Sequence, residues 1–245
     1  MKQQLLLLVV IPFATYLLPA KKKTTIFLAG DSTMSIKETK AFPETGWGMP
    51  FVYFWDSTIA VVNKAKNGRS TSSFQTEGLW QSIIKAANGG DYVFIQFGHN
   101  DEVSTKKTYT TEAQFKDNLK KFVRETREKK ATPVLLTPVA RRKFSTDGKI
   151  EGTHDVYAQI VRTVAAEEKV FLIDLDKQAQ QLYQQMGVEH SKHLFLHLQP
   201  GEHPNHPKGK EDNTHFSELG ARLIAQLVLQ ELRMLKIELI ERTIS

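Results

Sequence analysis

Short, almost uninterrupted apolar runs, separated by longer segments with apolar residues at helical spacing, set the rhythm of this sequence. Thr24 to Ala29 is β-branched and apolar and is closed by Gly30, which predicts a first strand. Ile59 to Val62, ending at Asn63, predicts a second, and Asp91 to Phe97, between the Gly89-Gly90 break and Gly98, a third. Pro133 to Thr137, stopped by Pro138, and Val170 to Ile173 supply two more. Between them, Thr111 to Lys130 places Phe115, Leu119, Phe122 and Val123 at helical spacing among charges, with Thr110 or Thr111 as N-cap. Gly48 to Ser57, Val156 to Glu167, Gln178 to Met186 (with Gly187 as its stop) and Ser217 to Met234 predict further helices. His190 to Lys210, rich in His, Pro and Gly, predicts a loop. Strands alternating with helices predict an α/β fold, a parallel sheet covered on both faces. Its ligand site is expected beyond the carboxyl ends of the strands. No internal repeat or linker divides the chain.

Ahead of these elements, Lys2 gives a positive start, Leu5 to Leu18 is apolar, and Pro19-Ala20 ends the run before Lys21-Lys22-Lys23. This shape predicts a secretory signal peptide over residues 1–20, with a retained N-terminal anchor as the alternative. The run falls short of the about 20 apolar residues a transmembrane helix needs. Residues 21–245 are then expected to form a single domain, secreted or periplasmic, with no membrane contact once the leader is cleaved. A chain of 245 residues is long enough to bury one full core. It has no Cys, which excludes disulfides, thiol nucleophiles, Cys-ligated zinc and N-terminal lipidation through cysteine. The formal net charge is +6, and loss of residues 1–20 would remove one lysine and leave +5. Lys and Arg form no dense run of the kind a nucleic-acid arm uses, so no nucleic-acid partner is expected. An acidic polymer is compatible with this charge, though charge alone would not suggest one.

The candidate chemistry lies in four stretches, three of them at or soon after predicted strand ends. Ser32, in Gly30-Asp31-Ser32-Thr33, follows the first strand on a sharp turn that can expose its hydroxyl; most such triplets are turn or capping serines. Gly68, in Asn67-Gly68-Arg69-Ser70, permits a strained backbone and lets an N–H approach a ligand closely, or is an ordinary turn glycine. Asn100, in Gly98-His99-Asn100-Asp101, offers a side-chain N–H donor, or bonds its own turn. Asp212 and His215, in Asp212-Asn213-Thr214-His215, are three apart; on a tight turn or first helical turn both side chains share one side. The carboxylate can then hold His215 through Nδ1–H and leave Nε2 as the base for Ser32. Each signal is weak alone, but together they supply a nucleophile, oxyanion donors, a base and its orienter on one rim. His99 and Asp101 are expected to fix the Asn100 loop, and Asp31 to support the Ser32 turn. Arg69, and one of Arg141 or Arg142, are expected beside the pocket, binding a substrate carboxylate or organising the loop, whereas Lys143 reads as solvated.

With these motifs in place, the chain resembles the SGNH/GDSL hydrolases, whose four signature residues correspond to Ser32, Gly68, Asn100 and His215. It is most similar to the rhamnogalacturonan acetylesterase group of that superfamily. That finer likeness lies in Gly30-Asp31-Ser32-Thr33, where lipase-like relatives have Leu after the Ser, and in the Gly68 and Asn100 motifs. Thr137-Pro138-Val139 with Arg141-Arg142, and Asp212-Asn213-Thr214-His215-Phe216, extend it. The resemblance implies a flavodoxin-like, three-layer α/β/α sandwich on a five-stranded parallel sheet, and O-deacetylation of an acetylated polysaccharide without cofactor or metal. Galacturonate carboxylates and arginine forks together point to pectic rhamnogalacturonan, with acetylxylan or general short-chain acyl esters as the alternative. A metal hydrolase built on His197, His203, His206, His215, Glu202 and Asp212 is a rival, but their spacing fits no helical ligand pattern and Pro204 and Pro207 make the segment a loop. A non-catalytic carbohydrate-binding protein would be expected to lack Ser32 or His215, and both are present.

Overall fold

The computed structural model describes residues 23–244, so the expected signal peptide lies outside the described residues. Five parallel strands, β1 (Thr24–Gly30), β2 (Ile59–Asn63), β3 (Tyr92–Gln96), β4 (Thr132–Leu136) and β5 (Phe171–Ile173), form one sheet in the order β2-β1-β3-β4-β5. Alternate residues of the central strands feed two apolar clusters. Ile26, Leu28, Phe94, Val134 and Leu136 face one way, and Phe27, Ala29, Val93, Ile95 and Leu135 the other. Burial on both faces explains why these strands read as continuous apolar runs rather than alternating ones.

Helices cover both faces and complete the expected α/β/α sandwich. On the first face lie α1 (Gly48–Phe51), α6 (Leu175–His190) and α7 (Glu218–Met234). On the second lie α2 (Thr71–Thr76), α3 (Leu79–Ala86), α4 (Glu112–Glu128) and α5 (Asp155–Glu168), where Trp80 of α3 stacks on Phe122 of α4 at 4.0 Å. Thr111 caps α4 in a capping box with Gln114, and Ser217 caps α7 through the N–H of Gly220.

Several expectations are corrected. The segment Gly48 to Ser57 is helical only to Phe51, followed by a 3₁₀ turn at Val52–Phe54. Helix α6 begins earlier than expected, at Leu175; Gly187 (φ 73°, ψ 178°) interrupts it as expected, and helical turns resume beyond it to His190. His190 to Lys210 is not all loop: Ser191–Leu194 is a 3₁₀ turn and β6 (Phe195–Leu198) pairs antiparallel with β7 (Lys210–Phe216) in a separate two-stranded ribbon. Helices α2 and α3 are additional to the expected elements.

Candidate active site

The nucleophile turn follows β1 directly. Asp31, fully buried, accepts on Oδ1 from the N–H of Thr33 at 2.9 Å and from its hydroxyl at 2.8 Å. The Thr33 hydroxyl accepts in turn from Gln96 Nε2 (2.6 Å), whose Oε1 takes the indole N–H of Trp47 (2.8 Å). This buried polar chain ties the turn to the end of β3, and Asp31 takes the supporting role expected of it. Burial pushes the Asp31 carboxyl up, against the Thr33 bonds that favour its ionised form.

The base arrives from the two-stranded ribbon. His215 Nε2 lies 3.0 Å from Ser32 Oγ, and His215 Nδ1 lies 2.8 Å from Asp212 Oδ2. The other carboxylate oxygen of Asp212 accepts from the backbone N–H groups of Thr214 (2.7 Å) and His215 (3.0 Å). The motif is therefore a tight turn, one of the two geometries expected, set in a bulge: Phe195 pairs with Phe216 while the next residue, Leu196, pairs with Asp212. Burial pushes Asp212 up, but the imidazole and the backbone donors outweigh it and hold the carboxyl well below the usual range.

The other two loops close on the same point. The N–H of Lys66 bonds Gly30 O at 3.0 Å, which lays the loop after β2 against the Ser32 turn. Gly68 there has φ +76° with open space where a side chain would be, so the residue is set by backbone conformation and not by crowding. Asn100 donates from Nδ2 to Arg69 O (3.1 Å) and accepts on Oδ1 from Lys106 Nζ (3.0 Å), which fixes the direction of its amide. Beneath it, Asp101 Oδ1 accepts from the N–H (2.8 Å) and hydroxyl (2.6 Å) of Thr71 at the start of α2. Burial drives the Asp101 carboxyl up to about 7 in spite of those donors. His99 is buried edge-on against His154 at 4.2 Å, and burial above all, with the Arg141 guanidinium nearby, holds its imidazole well below the usual range.

The three arginines all make loop-organising contacts beside the site. Arg142 is buried and donates from Nε to Ser191 Oγ (2.9 Å), from one terminal nitrogen to Asn213 Oδ1 (3.0 Å) and from the other to Val188 O. Arg141 donates to Thr214 Oγ1 at 2.7 Å and lies 3.6 Å from Glu102. Both therefore grip the Asp212–His215 turn. Arg69 is clamped by Glu77 Oε2 (3.0 and 2.9 Å) and donates to Asn67 O at 2.7 Å. Lys143 pairs with Glu151 at the surface, as a solvated charge would. Among the described residues, no three His, Cys, Asp or Glu side chains converge as metal ligands; His197 instead bonds Asn213 at 2.9 Å.

Three further side chains take part that were given no role from the sequence. Lys37 is buried beneath the site, and Ser35 and the side chain of Asn67 reach it from either side. No periodicity or spacing marks them.

The arrangement has the parts of an acyl-transfer site, and comparison with known proteins agrees with that chemistry. Residues 28–223 match the model of the GDSL-like Lipase/Acylhydrolase family. The rhamnogalacturonan acetylesterase RhgT of Bacillus subtilis is 44% identical over 226 residues, which span 92% of this chain and 96% of that protein. The probable rhamnogalacturonan acetylesterase YesY of the same organism is 34% identical over 90% of this chain and 97% of its own length. The crystal structure of the Bacillus subtilis protein YxiM superposes with a TM-score of 0.76 at 29% identity, covering 89% of this chain but 58% of that longer one.

Proposed function

The chain belongs to the GDSL-like lipase/acylhydrolase family and is a carboxylic ester hydrolase, and on that premise we propose that it removes O-acetyl groups from an acetylated polysaccharide, pectic rhamnogalacturonan above all. The observation that carries this reading is the continuous hydrogen-bonded chain from Ser32 Oγ through His215 to Asp212 at the sheet rim. Ser32 Oγ attacks the acetyl carbonyl carbon while His215 Nε2 takes its proton. The oxyanion accepts from the N–H groups of Ser32 and Gly68 and from the Asn100 side chain. Collapse breaks the bond to the sugar oxygen, which takes the proton back from His215 and leaves an acetyl group on Ser32. Water, deprotonated by His215, attacks that ester, and acetate departs as Ser32 regains its proton. Asp212, held ionised by its donors, steadies the imidazolium formed twice in each cycle.

The pectic substrate is supported by the name and extent of the RhgT match, and by cations at the rim. The Lys106 ammonium sits 3.0 Å from Asn100 Oδ1, and the side chains of Arg69 and Arg141 retain partial exposure. A galacturonate backbone presents carboxylates to such groups; acetylxylan presents far fewer. Export by the leader over residues 1–20 would bring the enzyme to such a polymer. The test is acetate release from acetylated rhamnogalacturonan, acetylxylan and an aryl acetate at low and high salt. We expect the highest kcat/KM on rhamnogalacturonan, falling as salt screens the attraction, with little change on the neutral aryl ester. A clear preference for acetylxylan would overturn the pectic assignment and leave the esterase standing.

A further inference from the structure

Behind the nucleophile lies a buried ammonium that the mechanism above does not use. Lys37 is 5% exposed, and its Nζ has three acceptors: Ser32 O at 2.5 Å, Asn67 Oδ1 at 2.9 Å and Glu44 Oε1 at 2.7 Å. An ammonium has three N–H donors, so its hydrogen-bonding capacity is filled. Burial lowers its proton affinity and the Glu44 carboxylate opposes that shift, as for a charge kept because it is paired. Two of the three acceptors belong to the two loops that carry the oxyanion N–H groups. Ser32 O lies on the nucleophile turn, and Asn67 immediately precedes Gly68.

A second hydroxyl lies between the same two oxygens. Ser35 Oγ donates its one hydrogen to Asn67 Oδ1 at 2.5 Å and lies 3.3 Å from Ser32 O. Two partially negative oxygens facing each other repel unless donors stand between them, and the cationic donor makes the stronger bonds. The backbone oxygen of Asn67 is held as well, by Arg69 at 2.7 Å. The peptide that carries the Gly68 N–H is thus fixed through both oxygens of the residue before it.

We propose that Lys37 is a positioning residue for ester hydrolysis: by bridging Ser32 O and the Asn67 side chain, it sets the spacing between the Ser32 and Gly68 N–H groups that receive the oxyanion. This inference rests on the roles given above to Ser32 and Gly68. An N–H displaced by a fraction of an ångström still permits substrate binding but stabilises the tetrahedral intermediate less, so the effect falls on kcat and not on KM.

The experiment compares the full chain with Lys37→Met, Asn67→Leu and the double variant on an aryl acetate, with active sites counted by the end-point stoichiometry of organophosphonate labelling. Lys37→Met is expected to lower kcat per labelled site by about 10²-fold, with KM within about threefold. Asn67→Leu is expected to act in the same direction, by about 10-fold. The double variant should fall no further than Lys37→Met, because both substitutions break one bridge. A merely structural lysine would lower the melting temperature and the labelled fraction while leaving kcat per labelled site within about threefold of wild type, and that result would overturn the proposal. If Lys37→Met does not fold, Asn67→Leu decides alone, since Asn67 is an exposed turn residue, and a wild-type kcat there is equally fatal. Turnover by Ser32→Ala would remove the Ser32 reading and this one with it. An inactive Ser32→Ala beside unimpaired Lys37→Met and Asn67→Leu would remove this one only.

Discussion

At the residue scale, Asn100 shows how a side chain with one ordinary amide is made into a directed donor. Lys106 on its oxygen and Arg69 O on its nitrogen fix which end of the amide faces the loop bearing Gly68. Asn100→Ala should therefore lower kcat by about 10²–10³-fold with little change in KM, measured by initial rates on an aryl acetate. A raised KM at unchanged kcat would make Asn100 a substrate-binding residue instead. Its neighbour Asp101 carries a different consequence. A carboxyl whose pKa is about 7 in the folded chain and about 3.9 in the unfolded one holds more protons folded than unfolded between those values. Its contribution to stability is thus intact below about pH 4, falls as pH rises through that window, and is lost above pH 7. Asp101→Asn keeps an acceptor for Thr71 and cannot ionise, so its melting temperature relative to wild type should rise from pH 4 to about pH 7 and level off above it. A difference independent of pH would show that Asp101 does not titrate in this window.

At the scale of elements, the strands were legible because burial on both faces leaves an unmistakable signature. Runs such as Ile26-Phe27-Leu28-Ala29 and Val93-Phe94-Ile95 have no polar position to give. The motif residues were legible because strand-to-loop junctions are where such a sheet gathers chemistry. What escaped was local or long-range in ways that periodicity does not carry. Helix α2 is short and polar, and it starts from a Ser70–Ser73 capping box and not from an apolar stripe. Strand β7 is mostly polar because its strand partner β6 lies outside the main sheet, so few of its positions other than the buried Phe216 need to be apolar. The bridging role of Lys37 depends on contacts 30 residues away in sequence. The Asp212–His215 turn likewise depends on Arg142, whose three bonds tie it to Asn213, Ser191 and Val188. Arg142→Met would remove the three bonds of a buried guanidinium and should cost about 2–4 kcal/mol in chemical denaturation. A loss in kcat should accompany it through misplacement of His215. Full stability with full activity would show that the turn holds its shape unaided.

At the scale of the molecule, strand order explains why the site forms where it does. In the sequence β2-β1-β3, neighbouring strands lie about 4.8 Å apart, so the loops bearing Gly68, Ser32 and Asn100 emerge side by side. This is the switch point of the sheet, where chain order reverses and loops part to leave a crevice. The base does not come from the sheet. It is carried by the ribbon and pinned from two sides, by Thr45 N to Phe216 O at 2.9 Å and by Arg142 N to Asn213 O at 2.9 Å. The two apolar clusters beneath make the rim a rigid platform on which residues 183 positions apart can meet at 3.0 Å. In the proposed mechanism Ser32, activated by His215, is the nucleophile. The most direct test is mass spectrometry of the protein after organophosphonate treatment, run beside acetate release by Ser32→Ala. A single adduct on Ser32, formed far more slowly in His215→Ala, with turnover of Ser32→Ala reduced by about 10⁴-fold or more, is the result expected. Near-normal acetate release from folded Ser32→Ala, or an adduct on any other residue, would contradict the account.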